Sequence, residues 1–316
     1  MHRICVVTPA PPQSTRGNRV TAQRWTGLLR DLGHHVQVRE SYDDEPCDVL
    51  VALHARRSAT SIVRFHEHHP QRPIVLALTG TDVYRDIHSD AEARRSLELA
   101  DRYVVLQPLA IQQLSAQLQP RAHVVVQSAV PPPGPNRPSP DLFEVSVLAH
   151  LREVKDPLRA GRAARLLPAR SRVRVVHAGG VLDEELARAA KQEMATNPRY
   201  TWLGELPRRH ALQILARSRC MVLSSTSEGG ANVVSEALAC RVPIIASRIP
   251  GSVGILGDNY PGYFTPGDTA ELAAILHRVE TDRGLQRSLH QACARLAPLV
   301  EPATERESWR HLLASL

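Results

Sequence analysis

Cys220-Met-Val-Leu-Ser224-Ser-Thr-Ser-Glu228-Gly-Gly-Ala-Asn232-Val-Val-Ser-Glu236-Ala-Leu238 sets two carboxylates eight positions apart, with a glycine pair directly after the first. Residues 220–224 are apolar, short and bounded by polar residues, which is the pattern of a buried strand. Residues 231–241 predict a helix whose inner side carries Val233, Val234, Ala237 and Leu238. Glu228 then falls in a strand-to-helix loop, and Glu236 about one and a half turns into the helix.

That junction has a chemistry. Gly229 and Gly230 let backbone approach a ligand closely, and Ala231 and Asn232 open a helix whose first N–H groups are unpaired. A helix start of this kind favours a phosphate or a pyrophosphate. A carboxylate accepts two hydroxyl hydrogen bonds, so two of them beside an anion site suit a diphosphate with hydroxyl-rich groups at both ends. A nucleotide sugar is such a ligand. The plainer alternative is a surface loop followed by a helix with one solvated glutamate.

The same strand–helix alternation runs outward in both directions. Residues 4–8, 36–38, 49–53, 74–78, 103–106 and 124–126 read as strands, with helices over 16–32, 58–69, 91–100 and 109–118. Residues 130–140 hold six prolines, which neither a helix nor a central strand accepts. Beyond them strands recur at 145–148, 173–177, 200–203, 221–224 and 244–246, with helices over 183–196 and 208–217 and from 269, 285 and 304. Repeated alternation implies α/β architecture with parallel sheets covered on both faces. The expected division is a Rossmann-like domain at 1–130, a proline-rich linker at 131–140, a second Rossmann-like domain at 141–300 and a terminal helix at 301–316. Ligands of such domains lie at the carboxyl ends of the strands, so the two domains are expected to face each other across a cleft.

Size and composition agree with that plan. The 316 residues suffice for two cores, and 43% hydrophobic with 22% charged content is ordinary for a globular protein. The net charge of +7 is carried mainly by arginine, which grips phosphate and carboxylate oxygens in a bidentate way. Nucleic acid is the weaker explanation, because the arginines are scattered and aromatics are only 4%. Five widely spaced cysteines give neither a disulfide framework nor a metal-ligand spacing. The histidines at 34, 35, 66, 68 and 69 read as surface residues, and no metal site is expected. The first residues run directly into a strand and no run is long enough to span a bilayer, so a cytoplasmic protein without integral membrane association is expected.

Other strand ends carry further candidates. After the first strand, Arg16-Gly17-Asn18-Arg19 combines close-approach backbone, an amide and charge, without the spacing of a dinucleotide or Walker loop. His54, Arg56 and Arg57 follow the third strand. Thr79-Gly80-Thr81-Asp82 follows the fourth, where Asp82 reads equally as a ligand contact or a helix cap. His150, Arg152 and Lys155 follow the first strand of the second half, where cations can meet charge on a departing diphosphate. Gly179-Gly180 is another strand-end pair, and Gly204-Glu205-Leu206 offers backbone amides to a nucleobase.

These residues resemble the family 4 glycosyltransferases of GT-B fold. The glutamates flanking Gly-Gly and the cation-bearing loop at 150–155 carry the match, which extends over both domains. The resemblance implies that Glu228 contacts the donor sugar and that Glu236 binds ribose hydroxyls. It also implies that Lys155 and the amides of 229–232 hold the diphosphate, and that the final helices cross back to the first domain. Two positions depart from the family: His150 stands where an arginine is usual, with Arg152 as its nearest substitute, and Thr79 stands where a histidine is common. Both touch the catalytic centre, so acceptor chemistry different from ordinary hydroxyl glycosylation is expected.

Pro9-Ala-Pro-Pro-Gln-Ser-Thr-Arg-Gly-Asn-Arg19, Leu78-Thr-Gly-Thr-Asp-Val-Tyr84 and His150-Leu-Arg-Glu-Val-Lys-Asp-Pro157 are similar to a narrower subgroup, the selenosugar synthases of bacterial selenoneine pathways. Those enzymes move a sugar, typically N-acetylglucosamine, from a UDP-sugar to selenophosphate and form a carbon–selenium bond. The UDP-sugar is a substrate there, and no cofactor or metal is implied. A small trianionic acceptor needs a compact cationic pocket, for which Arg16, Arg19, Arg56 and Arg57 are candidates beside His54, Thr79, Gly80, Thr81 and Asp82. The competing readings are a hydroxyl- or thiol-acceptor transferase, an epimerase or phosphorylase of the same fold, and a non-catalytic nucleotide-sugar binding protein.

Overall fold

A computed structural model describes residues 1–14, 17–80, 82–134 and 137–316. The chain forms two compact units, one of Met1–Ser128 with Glu228–Asn232 and Glu301–Leu316, the other of Ala129–Ser227 with Val233–Val300.

The first unit holds β1 (Arg3–Val7), β2 (His35–Arg39), β3 (Val49–Leu53), β4 (Ile74–Leu78), β5 (Arg102–Val105) and β6 (Ala122–Val124). They form one parallel sheet in the order β2-β1-β3-β4-β5-β6. Its helices are α1 (Gly17–Asp31), α2 (Ala59–His68), α3 (Ile87–Ser89) and α4 (Ala91–Leu99). Successive strand residues enter opposite cores. Cys5, Leu50, Leu76 and Tyr103 pack with Phe65 of α2 and Leu97 of α4, while Val6, Val51, Val75 and Val104 pack with Trp25 and Leu29 of α1. A sheet covered on both faces needs apolar residues at every position, which is why β3 and β4 read as unbroken apolar runs.

The second unit holds β7 (Phe143–Leu148), β8 (Val173–Ala178), β9 (Tyr200–Trp202), β10 (Cys220–Leu223), β11 (Ile244–Ser247) and β12 (Tyr263–Phe264), again all parallel, in the order β12-β11-β10-β7-β8-β9. With them run α5 (Arg159–Arg165), α6 (Glu184–Thr196), α7 (Arg208–Arg217), α8 (Asn232–Ala239), α9 (Pro250–Leu256), α10 (Thr269–Thr281) and α11 (Arg283–Leu296). Asp183, Asp268 and Asp282 each start a helix by accepting backbone N–H groups of its first turn. The order reverses between β7 and β10, so the chain leaves these neighbouring strands in opposite directions and opens a crevice at their carboxyl ends.

The last helix, α12 (Pro302–Ala314), belongs to the first unit and adds Trp309, Leu312 and Leu313 to the core that contains Trp25. Trp25 and Trp309 meet edge to face with ring centroids 4.9 Å apart. The α/β class and the paired parallel sheets are as expected from sequence. Three local features differ. Residues 109–118 were expected as a helix, but Pro108–Gln113 is a 3-10 turn started by Pro108 and capped by Gln107, whose side chain accepts from Leu109 N. Asp82–Asp86 is a π-helical turn, and β12 is a two-residue strand that extends the second sheet beyond the five expected. Among the described residues, no helix is long and apolar enough to cross a membrane.

Candidate functional site

In the second unit, the loops after β7 and β10 are joined at the reversal point. Thr226 N donates to the Val154 carbonyl at 2.9 Å, and Ser224 Oγ donates to the carbonyls of Lys155 and Asp156 at 3.2 and 2.8 Å. Lys155 closes a 3-10 turn, Glu153–Lys155, and Asp156 then turns the chain with a left-handed φ of 40°. Arg159 Nε donates to Asp156 Oδ2 at 2.6 Å and steadies that corner. Lys155 is half-buried and Arg152 exposed, so the loop presents two cations at the carboxyl end of the sheet.

The β7 loop is fixed from below by β8. His177 is fully buried; its Nε2 donates to the Ala149 carbonyl at 2.7 Å, and its Nδ1 accepts from the Tyr200 hydroxyl at 2.7 Å. Burial lowers the His177 pKa to about 4, so the ring is neutral with its proton on Nε2. His150 Nδ1 accepts from Gly180 N at 3.0 Å, which leaves Nε2 to carry that ring's proton. Gly179 is among the residues expected at the donor site. Its N–H donates to the Gly204 carbonyl at 2.8 Å and its carbonyl accepts from Trp202 Nε1 at 2.9 Å. What it supplies is room, because a Cβ there would lie 1.8 Å from the Ala149 oxygen.

Glu236 is buried in α8, in the second turn of the helix, and is already partnered. Arg208 Nη1 lies 2.6 Å from its Oε1, close enough for an ion pair but off the line a hydrogen bond needs. Arg208 was missed at the sequence level, although it left a trace. Arg208 and Arg209 open α7 with no acid in the first turn, which opposes the helix dipole unless a carboxylate stands nearby. Glu205 is exposed and its carboxylate approaches Gly180, where a Cβ would lie 2.9 Å from Oε2; Leu206 is half-buried beside it.

The first unit gathers a second set of candidates, including Glu228–Asn232. A Cβ on Gly229 would lie 3.0 Å from Gly80 N and the Thr79 carbonyl, and one on Gly230 would lie 2.5 Å from Leu106 Cβ. The glycine pair therefore seats the loop against the ends of β4 and β5. Ala231 is buried and Glu228 half-buried. Thr79 Oγ1 donates to Asn18 Oδ1 at 2.9 Å, and Gly17 stands beside Asn232.

From the sequence Asp82 reads equally as a ligand contact or a helix cap. It is fully buried, and its two oxygens accept from Gly80 N at 2.7 Å and Ala55 N at 3.0 Å. It ties the ends of β3 and β4 together. His54, buried with a left-handed φ of 78°, lies 3.9 Å from Asp82 and 3.8 Å from Asp86, and Arg56 Nε is 3.4 Å from the same Asp86 oxygen. Burial is the main cause that lowers the His54 pKa, against the pull of the two carboxylates. Arg19 is half-buried with Nε lacking a hydrogen-bond partner among the described residues. Arg16 and Thr81 lie outside the described residues. Among the described residues, no group of three or more His, Cys, Asp or Glu is arranged to hold a metal ion, and all five cysteines are free.

Residues 135–295, just over half of the chain, match the family model described as glycosyl transferases group 1. The chain is 24% identical over 302 residues to glycosyltransferase 1 domain-containing protein 1 of Xenopus tropicalis, covering 86% of each. Among solved structures it is similar over the full length of both chains to Anabaena HepE, solved with UDP and with UDP-glucose, at a TM-score of 0.79 and 17% identity. It is likewise similar to sucrose-phosphate synthase from Thermosynechococcus elongatus, at a TM-score of 0.76 and 15% identity over all of both chains. The paired parallel sheets are those of the GT-B fold.

Proposed function

The chain belongs to the glycosyl transferases group 1 family, and from that premise we propose that it moves a sugar, N-acetylglucosamine, from a UDP-sugar to selenophosphate. The observation that carries the donor half is the joining of the cationic β7 loop to Ser224 and Thr226 at the strand reversal of the second sheet. The HepE structures with UDP and UDP-glucose support the same nucleotide class.

In this reading Glu236 accepts from the ribose hydroxyls with Arg208 beside it, and Glu205 and Leu206 border the base. Lys155, Arg152 and the Nε2–H of His150 are assigned to the diphosphate, as are the amides of Gly229, Gly230, Ala231 and Asn232, and Gly17 and Asn18 are assigned to the donor. Glu228 takes the sugar hydroxyls. The selenium lone pair forms a bond to the anomeric carbon as the carbon–oxygen bond to the diphosphate breaks, and that electron pair leaves with UDP. Donors set in advance around the leaving oxygens stabilise the charge that develops there. An acceptor that is already anionic needs no general base. Arg16, Arg19, His54, Arg56, Thr79, Gly80 and Thr81 are assigned to the acceptor. The free thiols fit a reducing cytoplasm.

A second reading has one observation behind it. Asp86 already occupies Arg56, and Asp82 lies close by, so this rim is less cationic than a trianion prefers. A hydroxyl or thiol acceptor suits it better. Incubation with UDP-N-acetylglucosamine and either selenophosphate, a thiol or an alcohol, read by mass spectrometry, separates the two. A selenium-containing sugar supports the first reading, and transfer only to the alcohol or thiol supports the second. UDP-sugar binding without turnover on any acceptor overturns both and leaves a binding protein.

A further inference from the structure

Glu305, on α12, is fully buried, and a carboxylate without solvent needs its oxygens met by donors. They accept from Trp25 Nε1 at 2.7 Å, Ser128 N at 2.8 Å and Arg24 Nε at 2.9 Å, and from Ser128 Oγ. Arg24 carries the relation onward, its Nη1 donating to Asn232 Oδ1 at 3.0 Å. A guanidinium is planar, so fixing Nε on one carboxylate also fixes the direction of Nη1. Asn232 is the last residue of the glycine loop and the first of α8. With Oδ1 turned to Arg24, its amide has one orientation.

Seating α12 does not require this ion pair. Trp309 against Trp25, with Leu312 and Leu313, already buries the helix, and a buried pair is commonly replaceable by apolar residues at no loss of stability. The charge leads out of the core to one place, the loop. We propose that Glu305 and Arg24 are positioning residues for residues 229–232: the buried carboxylate sets the guanidinium, and the guanidinium sets Asn232. This rests on the reading of that loop as the diphosphate-binding segment.

The test is UDP affinity by calorimetry and the donor KM, with thermal unfolding beside them, for Asn232→Ala, Arg24→Gln, the double variant and Glu305→Gln. Asn232→Ala is expected to weaken UDP roughly tenfold, Arg24→Gln by a similar factor, and the double variant no further. Glu305→Gln should follow Arg24→Gln, and Arg24→Lys, which keeps the charge without the fork, should not restore affinity. A purely structural role lowers the melting temperature and leaves UDP affinity and KM where they were, and that result for Arg24→Gln overturns the proposal. So do losses that multiply in the double variant. If Asn232→Ala alone weakens UDP, the loop reading stands and only the proposal falls. If Asn232→Ala leaves UDP untouched, the loop reading itself fails and takes the proposal with it.

Discussion

Arg208 Nη1 lies 2.6 Å from Glu236 Oε1, joining the first residue of α7 to the middle of α8. The carboxylate end is buried, with 7% of the side chain exposed, while the arginine is 46% exposed, so one partner is dry and the other wet. A buried carboxylate stripped of its cation is costly, whereas an exposed cation alone is not. The pair therefore compensates the buried carboxylate and fixes its direction.

Glu236→Ala is expected to weaken UDP and UDP-sugar alike, by about 1.5–3 kcal/mol, since its assigned contacts are to the ribose common to both. Arg208→Ala should weaken both by less, within about 1 kcal/mol, because the guanidinium is partly solvated. Calorimetry with UDP measures each. Unchanged UDP affinity in Glu236→Ala sinks the ribose assignment.

Two glycines test how the fold holds the β7 loop. A Cβ at Gly179 meets only backbone, 1.8 Å from the Ala149 oxygen and 2.8 Å from His150 N, so Gly179→Ala must displace the loop that carries His150 and Lys155. It should cost about 3 kcal/mol, the upper end for overpacking, and weaken UDP as well. Gly27, inside α1, has nothing within 4 Å of its Cβ position. There Gly27→Ala should add about 0.5–1 kcal/mol, through helix propensity alone. Equal urea midpoints for the two variants would contradict the geometry.

Much of this was legible because it is local. Apolar runs such as Val49-Leu-Val-Ala-Leu53 and Ile74-Val-Leu-Ala-Leu78 announce strands covered on both faces, and Glu228, Gly229, Gly230 and Glu236 lie within one short segment. The failures are non-local. Arg24 meets Glu305 across 281 residues, a relation no spacing rule reaches. Asp82, which opens the π turn Asp82–Asp86, accepts from Ala55 N beyond the end of another strand, and β12 is too short to show a period. Asp82 reads equally as a ligand contact or a helix cap for the same reason: its burial is tertiary.

His177 predicts an acid limit for the second unit. Its folded-state pKa, about 4, lies below the 6.5 of an unfolded histidine. Between those values the unfolded chain binds a proton that the folded one does not, so stability falls as pH drops from 6.5 toward 4, by at most about 3 kcal/mol. Above 6.5 the residue contributes no slope. His177→Asn should be less stable at pH 7 yet lose less on acidification, which urea midpoints at several pH values will measure. An identical pH slope in both proteins would remove His177 as the cause.

Lys155 is the residue on which the proposed chemistry depends most. Its backbone is held by Ser224 Oγ, and its turn is held by Thr226 N on the Val154 carbonyl, so the side chain starts from a fixed point at the carboxyl end of β7 and β10. A donor fixed in advance acts on charge as it develops, so Lys155→Ala should lower kcat by about a hundred- to a thousandfold and raise the donor KM far less. Ser224→Ala, which loosens the turn but keeps the cation, should give a smaller fall in the same parameter. Glu228→Ala should also lower turnover and blunt discrimination between UDP-sugars, while leaving free UDP bound as before, because UDP lacks the sugar. Chelator should not change the wild-type rate. Loss of activity in EDTA, restored by magnesium or manganese, would transfer the work of neutralising the diphosphate from Lys155 to a metal ion; a Lys155→Ala enzyme with normal kcat would do the same.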